Sequence, residues 1–501
     1  MRSEDVDEIR LQSPEGRQAR RRVAIDPTPR FRESVVAQLD VLRGCLEEQV
    51  PRDHVAREIW AIVDQLDTSS LENEYSALGR HGYHPKRLLA VWVYASLNGV
   101  HHSTKVARAC QTDAAYRWLA GGDSPSSPTL RRMRMKQGAF FEAAIEQTVL
   151  LGSERGLINL KGLAVDSVRI RANASPAAVR TVSRSKRRLA ELEQVDVSTL
   201  SAAKRRRHNA ALAKHQSALA ECEARGATSF VTTNAAAALM KFPSGASGPA
   251  HRATIVASDK RARFIVGVLV DADPTDYGKA GPALEKARQV LERLGLRGKK
   301  RLVAAADAGY YSERDLQFAR DAAEWVDLLI PEVIHSRETR GYFSRDRFQL
   351  RQGKMICPAG KSMLGPYNND KEGTEVKWVG SGCGACSLRP QCTPGKVRAL
   401  QINAAREQAQ QSMRERFAKR GASKRYNERI ATVEPVFSFL EDTMAFRRAS
   451  SRHASTVVSE LLLKLLAYNI DRLLRADRSS RKLCCAFFSI DPDGTYEPLQ
   501  N

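Results

Sequence analysis

Residues 162–172 read Gly-Leu-Ala-Val-Asp-Ser-Val-Arg-Ile-Arg-Ala. An apolar entry, Leu163 to Val165, gives way to alternating polar and apolar side chains, the period-2 pattern of a strand emerging from a core. Asp166 breaks the pattern. Aspartate is depleted in strands, and a buried carboxylate is costly unless it is paired or metal-bound. A second apolar run, Arg301–Ala306, ends in the same way at Asp307. Two such aspartates ask for a cation, although both lie at element ends, where turn and cap aspartates are also favoured.

Outward from residues 162–172 the period changes repeatedly. Strand-like runs recur at Ala253–Ala257 and Ala262–Val270, joined by a tight Ser258–Arg261 connection that reads as a hairpin. A helix fits Gly281–Leu294, Ser312 caps another, and Trp325–Ile330 is a further strand. Three strands, a helix, a strand, a helix and a strand predict a mixed α/β sheet. Residues 184–225 interrupt it with a charged helical block, best read as a solvated hairpin inserted between strands.

Ahead of the sheet, residues 31–150 are helical in pattern. His84-Pro85 opens one helix, and Ser127-Pro128 opens another that carries Arg131, Arg132, Arg134 and Lys136. A helix-turn-helix-like DNA-binding region and an all-helical packing domain with a solvated basic face fit this stretch equally. Residues 1–30 read as a basic flexible arm, with Arg17, Arg20, Arg21 and Arg22 before Pro27 and Pro29. After the sheet come a Cys-rich stretch (335–400), a helical C-terminal part (401–476, clearest over Ser455–Leu474) and a tail (477–501).

The chain has 501 residues and a formal net charge of +23, from 80 Lys+Arg against 57 Asp+Glu. That excess points to a polyanion, most plausibly nucleic acid. No apolar run suffices for a transmembrane helix and the N-terminus lacks a signal-peptide core, so a cytoplasmic, reducing setting is expected. Nine cysteines are too sparse for a disulfide scaffold. Four of them, Cys357, Cys383, Cys386 and Cys392, are spaced C-x25-C-x2-C-x5-C with His335 as a spare ligand, which fits a closed structural Zn²⁺ site. AGKS at 359–362 lacks the first glycine of a phosphate loop, so no nucleotide dependence follows.

Two strand carboxylates with a third from a nearby helix can hold two Mg²⁺ about 3.5–4 Å apart, the arrangement for in-line phosphoryl transfer. Glu434 is the candidate third acid, in the helical block Tyr426-Asn-Glu-Arg429-Ile-Ala-Thr-Val-Glu434-Pro-Val-Phe437.

The segments YHPKRLLAVWVYASLNGVHHSTKVARAC (83–110), AYRWLAGG (115–122), VDSVRIRANAS (165–175), LMKFPSG (239–245), DAGYYSERDL (307–316), CPAGK (357–361), CGACSLRPQC (383–392) and VEPVF (433–437) together resemble bacterial insertion-sequence transposases of the DDE class. The likeness runs from about Val50 to Leu474. It implies an RNase H-like catalytic domain over 151–334 and 401–476, with Asp166, Asp307 and Glu434 as its acids. It also implies two Mg²⁺ (or Mn²⁺), cleavage at transposon ends, strand transfer into target DNA, and a homodimer that brings two ends together. Tyr426 and Arg429 match positions that flank the last acid in the family, where they would contact phosphate.

The chain departs from the family pattern at three places. Glu441 stands where a lysine is expected, Thr232–Leu239 is Ala-rich, and PAHRAT (249–254) replaces a more typical PAYNVQ. These departures favour a rival, a DNA-binding protein that represses without cutting; the intact acids disfavour it. A nuclease that cuts without joining is the third reading.

Overall fold

The computed structural model describes residues 30–40, 44–75, 81–158, 160, 162–296, 298, 300–332, 341–368, 375–490 and 496–498. Residues 1–29 of the basic arm, and His335, lie outside the described residues.

The first part is helical, as its pattern predicts: α1 (Val55–Val63), α2 (Pro85–Leu97), α3 (Ser103–Thr112), α4 (Ala114–Leu119), α5 (Ser127–Lys136) and α6 (Gly138–Glu154). Local chemistry sets their starts. The His84 ring accepts the Lys86 N–H at 3.2 Å with Pro85 in the first turn of α2, and Asp113 accepts the Ala115 and Tyr116 N–H groups at the head of α4. The cap of α5 is Ser126, one residue earlier than the sequence pattern indicates.

The central sheet contains β1 (Leu163–Arg171), β2 (Ala238–Lys241), β3 (Ser247–Ala257), β4 (Ile265–Asp271), β5 (Leu302–Ala306) and β6 (Val326–Leu329). Its order is β6-β5-β1-β3-β2, with β4 also paired to β3. β1 runs parallel to β5 and β5 to β6; the remaining pairs are antiparallel. Every residue of β3 from Gly248 to Ala257 is buried, as expected of a strand covered on both faces. Between β1 and β2, the helices α7 (Val182–Glu193) and α8 (Ala202–Ala224) form the expected charged hairpin. Two buried imidazoles stitch it, His215 Nδ1 to Ser185 Oγ at 3.1 Å and His208 Nε2 to the Leu192 carbonyl at 2.9 Å.

Two cores clasp the sheet. One joins α9 (Ala280–Arg293), α10 (Glu313–Asp321) and α11 (Ala404–Ala418) to Leu163, Val165 and Val256. The other joins the N-terminal helices to Ala164, Val168, Ile255, α12 (Ala422–Ser438) and α13 (Ala454–Phe487). The Cys-rich stretch is a separate small unit, an antiparallel sheet of β7 (Leu364–Asn368), β8 (Glu375–Val379) and β9 (Ala399–Asn403) over Phe348, Met355, Met363 and Trp378.

α13 passes beyond the Leu474 limit seen in the sequence pattern and packs on α2, α5, α6 and β4. Polar side chains buried among its leucines are matched to partners. Asn469, fully buried, takes the Ile265 N–H at 2.9 Å and donates to the Ile265 carbonyl (3.1 Å) and to Thr148 Oγ1 (3.0 Å), joining α13, β4 and α6. Replacing Asn469 by Ala would take this partner from the Ile265 N–H and carbonyl, each at about 1–3 kcal/mol, while Thr148 keeps its bond to the Ile145 carbonyl. Urea unfolding of Asn469→Ala should therefore show a loss of about 3 kcal/mol or more. A loss below about 1 kcal/mol would mean that the amide is dispensable to the joint.

Candidate active site

Parallel pairing of β1 with β5 sets Val165 opposite Ala306, so Asp166, which continues β1, and Asp307, which follows the end of β5, come next at the same level. Both line one cavity of about 600 Å³, together with Ser167, Asp276, Phe437, Ser438, Glu441 and Arg447. Asp307 caps a short turn by accepting the Gly309 N–H at 2.9 Å. Gly309 permits a close approach: a Cβ there would lie 3.0 Å from Asp307 Oδ1 and 3.4 Å from Asp276 Oδ2. Asp276 and Asp307 thus both come near one glycine.

Asp166 is held from two directions. The Ser167 N–H donates to Oδ1 at 2.7 Å, and Arg429 Nη1, from α12, donates to Oδ2 at 2.5 Å. Burial, then the charge of Asp307, pushes the Asp166 carboxyl up to about 6 despite Arg429. Asp307 is also raised, chiefly by burial, with Arg429 pulling the other way. Burial opposes the charge on Arg429 most strongly, but Asp166, Tyr426 and Asp307 together outweigh it and the guanidinium is raised. Arg429 also lines a neighbouring cavity of about 220 Å³ with Lys260, Arg261 and Arg425.

Sequence-predicted residues separate here. Asp166, Asp307 and Arg429 come together. Tyr426 is half-buried one turn before Arg429, its ring edge-on to Phe417 with centroids 5.7 Å apart. Glu434 is exposed on α12 and does not line the Asp166 cavity, whereas Phe437, Ser438 and Glu441, farther along the same chain segment, do. On α5, Arg131, Arg132 and Lys136 are exposed. Arg134 is not, and its reading as a DNA contact is corrected. It is buried over Trp92, donates to the His101 carbonyl and lies 3.6 Å from the buried Glu460, so its charge serves the joint with α13.

Sequence reasoning missed Asp276, Ser167 and Arg252. Ser167 Oγ donates to Asp276 Oδ1 at 2.5 Å, and the fully buried Arg252 of β3 pairs with the same oxygen. Asp276 lies in Asp271-Ala-Asp-Pro-Thr-Asp276-Tyr-Gly, which reads as a plain turn. An arginine inside a buried strand was the signal that an acid must meet it.

Cys357, Cys383, Cys386 and Cys392 line one pocket of the small unit, with Cys383 and Cys386 at the two ends of a single turn. Burial, and then the other three thiols after Arg398, act on Cys392, whose thiol is raised. Among the described residues no three His, Cys, Asp or Glu side chains stand as a ready-made metal-ligand set. The donors fit by chemistry: soft thiolates for Zn²⁺ in one pocket, carboxylate oxygens for Mg²⁺ in the other. At Gly380 a Cβ would fall 2.6 Å from Cys383 Sγ, so that backbone leaves room for the thiol.

No helix among the described residues is long and apolar enough to cross a membrane. No curated protein matches the chain. Residues 44–136 match the family described as Transposase domain (DUF772), and residues 356–474 match the Transposase DDE domain. The first match spans α1 to α5; the second takes in the four cysteines, Arg429 and Glu434 and stops short of Asp166 and Asp307. Two transposase families, met in one chain in the order its motifs run, support its identification as an insertion-sequence transposase of the DDE class.

Proposed function

We propose that this protein cleaves DNA at transposon ends and joins the freed ends to target DNA, in an RNase H-like domain whose acids are Asp166, Asp307 and Glu434. The observation that carries this reading is that Asp166, within β1, and Asp307, just past the end of the neighbouring parallel strand β5, face one shared cavity. Asp166 and Asp307 would hold divalent cations, with Glu434 contributed from α12. When bound, Mg²⁺ supplies charge that stabilises the attacking and leaving oxygens of an in-line displacement at phosphorus. The chain's own part is placement. The Ser167 N–H orients Asp166, the Gly309 N–H orients Asp307, and Arg429 gives a cationic donor for a phosphate beside the scissile bond. Arg131, Arg132 and Lys136 on α5 would present the helix-turn-helix-like region to duplex DNA, and a homodimer would bring two ends together.

A second reading, a DNA-binding protein that does not cut, draws support from Glu441, an acid lining the cavity where the family has a lysine. Purified protein, DNA with the gene's own flanks and Mg²⁺ or Mn²⁺ separate the two. Metal-dependent nicks at a defined end, lost in Asp307→Ala and Glu434→Ala, are expected, with joined products alongside. End binding without nicks would favour the second reading, and nicks without joining would leave a nuclease.

The charge on Asp166 gives a second prediction. Its folded carboxyl is raised, so the folded state binds that proton more tightly than the unfolded chain does. The resulting stability is present below about pH 4 and lost as pH rises through about 6. Without divalent metal, the unfolding free energy of wild type relative to Asp166→Asn should fall by roughly 3 kcal/mol between those limits. A pH-independent difference would show that Asp166 is not held in this way.

For the small unit, we assign Cys357, Cys383, Cys386 and Cys392 one structural Zn²⁺. Elemental analysis of protein purified without added metal should find about one zinc per chain, lost in Cys386→Ser together with protease resistance of residues 341–403. Zinc-free protein with an equally resistant unit would refute it.

A further inference from the structure

Asp276 has no place in the three-acid reading, yet the structure invests more contacts in it than in Glu434. It lies between β4 and α9 in a loop tied down at several points. Buried Asp315 accepts the Gly278 N–H at 2.6 Å and the Gly281 N–H at 3.1 Å. Lys279 lies 3.2 Å from both Asp271 and Asp273. The carboxylate of Asp276 reaches back to β1, which carries Asp166, and to its other neighbour β3. Ser167, its donor on β1, is the residue after Asp166. Arg252, its partner on β3, pairs in register with Arg169, whose guanidinium lies 3.6 Å from Asp276 Oδ2. On the other side, Asp276 Oδ2 comes near Gly309, whose N–H holds Asp307, and its charge acts on the Asp307 carboxyl.

Both oxygens of Asp276 therefore face cationic or hydroxyl donors. That is the environment of a group which orients its neighbours, and a divalent cation would have to displace those donors to bind it. We propose that Asp276 is a positioning residue for the Asp166–Asp307 pair: through Ser167 and Arg252 it fixes how these two carboxylates face the cavity, and so sets their affinity for divalent cations. The inference rests on the reading of Asp166 and Asp307 as cation ligands. Supporting residues of this kind typically change metal affinity by about 10–100-fold when removed, because the ligands themselves remain but lose their preferred geometry. The charge of Asp276 also compensates a guanidinium with no access to water, so the residue has a structural duty that the test must set apart.

The experiment titrates the full-length, DNA-free chain with Mn²⁺, following free Mn²⁺ by electron paramagnetic resonance. It compares wild type with Asp166→Ala, Asp307→Ala, Asp276→Asn and Ser167→Ala, each checked by circular dichroism and thermal melting. Asp276→Asn keeps an acceptor for Ser167 and removes the charge. Ser167→Ala leaves the Arg252–Asp276 pair intact and decides the matter if Asp276→Asn fails to fold. The expected result is Mn²⁺ binding weakened about tenfold in Asp276→Asn and less in Ser167→Ala, against its loss in the two ligand variants. The Mn²⁺ midpoint for nicking should move by the same factor, while the rate at saturating Mn²⁺ returns close to wild type.

An unchanged Mn²⁺ midpoint in both folded variants, whatever their melting temperatures, would overturn the inference and leave Asp276 a structural residue. Loss as complete as in Asp166→Ala would overturn it in the other direction, making Asp276 a ligand. If Asp166→Ala and Asp307→Ala bind Mn²⁺ as wild type does, the cation-site reading itself fails and this inference falls with it.

Discussion

The contact between Asp166 and Arg429 ties the central sheet to the helix that lies across its cavity. Asp166 lies within β1, just after its buried apolar entry, where burial leaves water little chance to offset its charge, and Asp307 adds like charge from the end of the next strand. Arg429 answers both acids from a helix more than 250 residues later. Attraction of this kind is stronger in a partly dry site than at the surface, though the desolvation of both partners takes back part of it. The raised carboxyl of Asp166 shows which effect prevails: burial and Asp307 outweigh the arginine. What Arg429 does provide is register. With Thr432, Val433 and Val436 buried beneath α12, the pair fixes that helix against β1 and β5, and hence brings Phe437, Ser438 and Glu441 to the cavity wall.

The rest of the fold serves to hold that helix still. α13 follows α12 and lies between the N-terminal helices and the sheet, so its leucines are buried almost all round. Such a helix gains little specificity from apolar contact alone. Buried polar groups supply it instead: Asn469 bridges β4 and α6, Lys464 donates to Ser96 at 2.8 Å, and Ser459 donates to the Arg134 carbonyl at 2.6 Å. Each would be left unpaired by a slip along the helix, so the N-terminal region and the sheet are locked in one relation.

Much of this was legible in the chain because it is local. Alternation after Val165 marked β1, a tight connection marked the β3–β4 hairpin, and an acid after each of two apolar runs marked Asp166 and Asp307. The charged hairpin of α7 and α8 was legible for the same reason. What could not be read depends on partners distant in sequence. Arg134 looks like its exposed neighbours until Glu460 and Trp92 close over it. Asp276 looks like a turn residue until Arg252 and Ser167 meet it. Glu434 sits beside Val433 on a helix, and which face of that helix turns toward the acids is set by Arg429 and by the packing of Val433 and Val436.

The charges around the cavity also constrain the order in which it can fill. Asp166, Asp276, Asp307 and Glu441 line it, against Arg169, Arg171 and Arg447. Arg169 is drawn toward Asp276 and Arg447 toward Asp442, while Arg252 and Arg429 neutralise acids from behind. Apart from Arg171, which lies over the Phe242 ring, the arginines at the floor are committed to acids. A phosphate brought there alone would meet carboxylates at short range, in surroundings that screen them poorly. If Asp166 and Asp307 held cations, as proposed, the same floor would attract it, and Arg429 would be free of its carboxylate to face the phosphate. Cation binding and DNA binding would then strengthen one another, as linkage requires when each ligand makes the other's site more favourable.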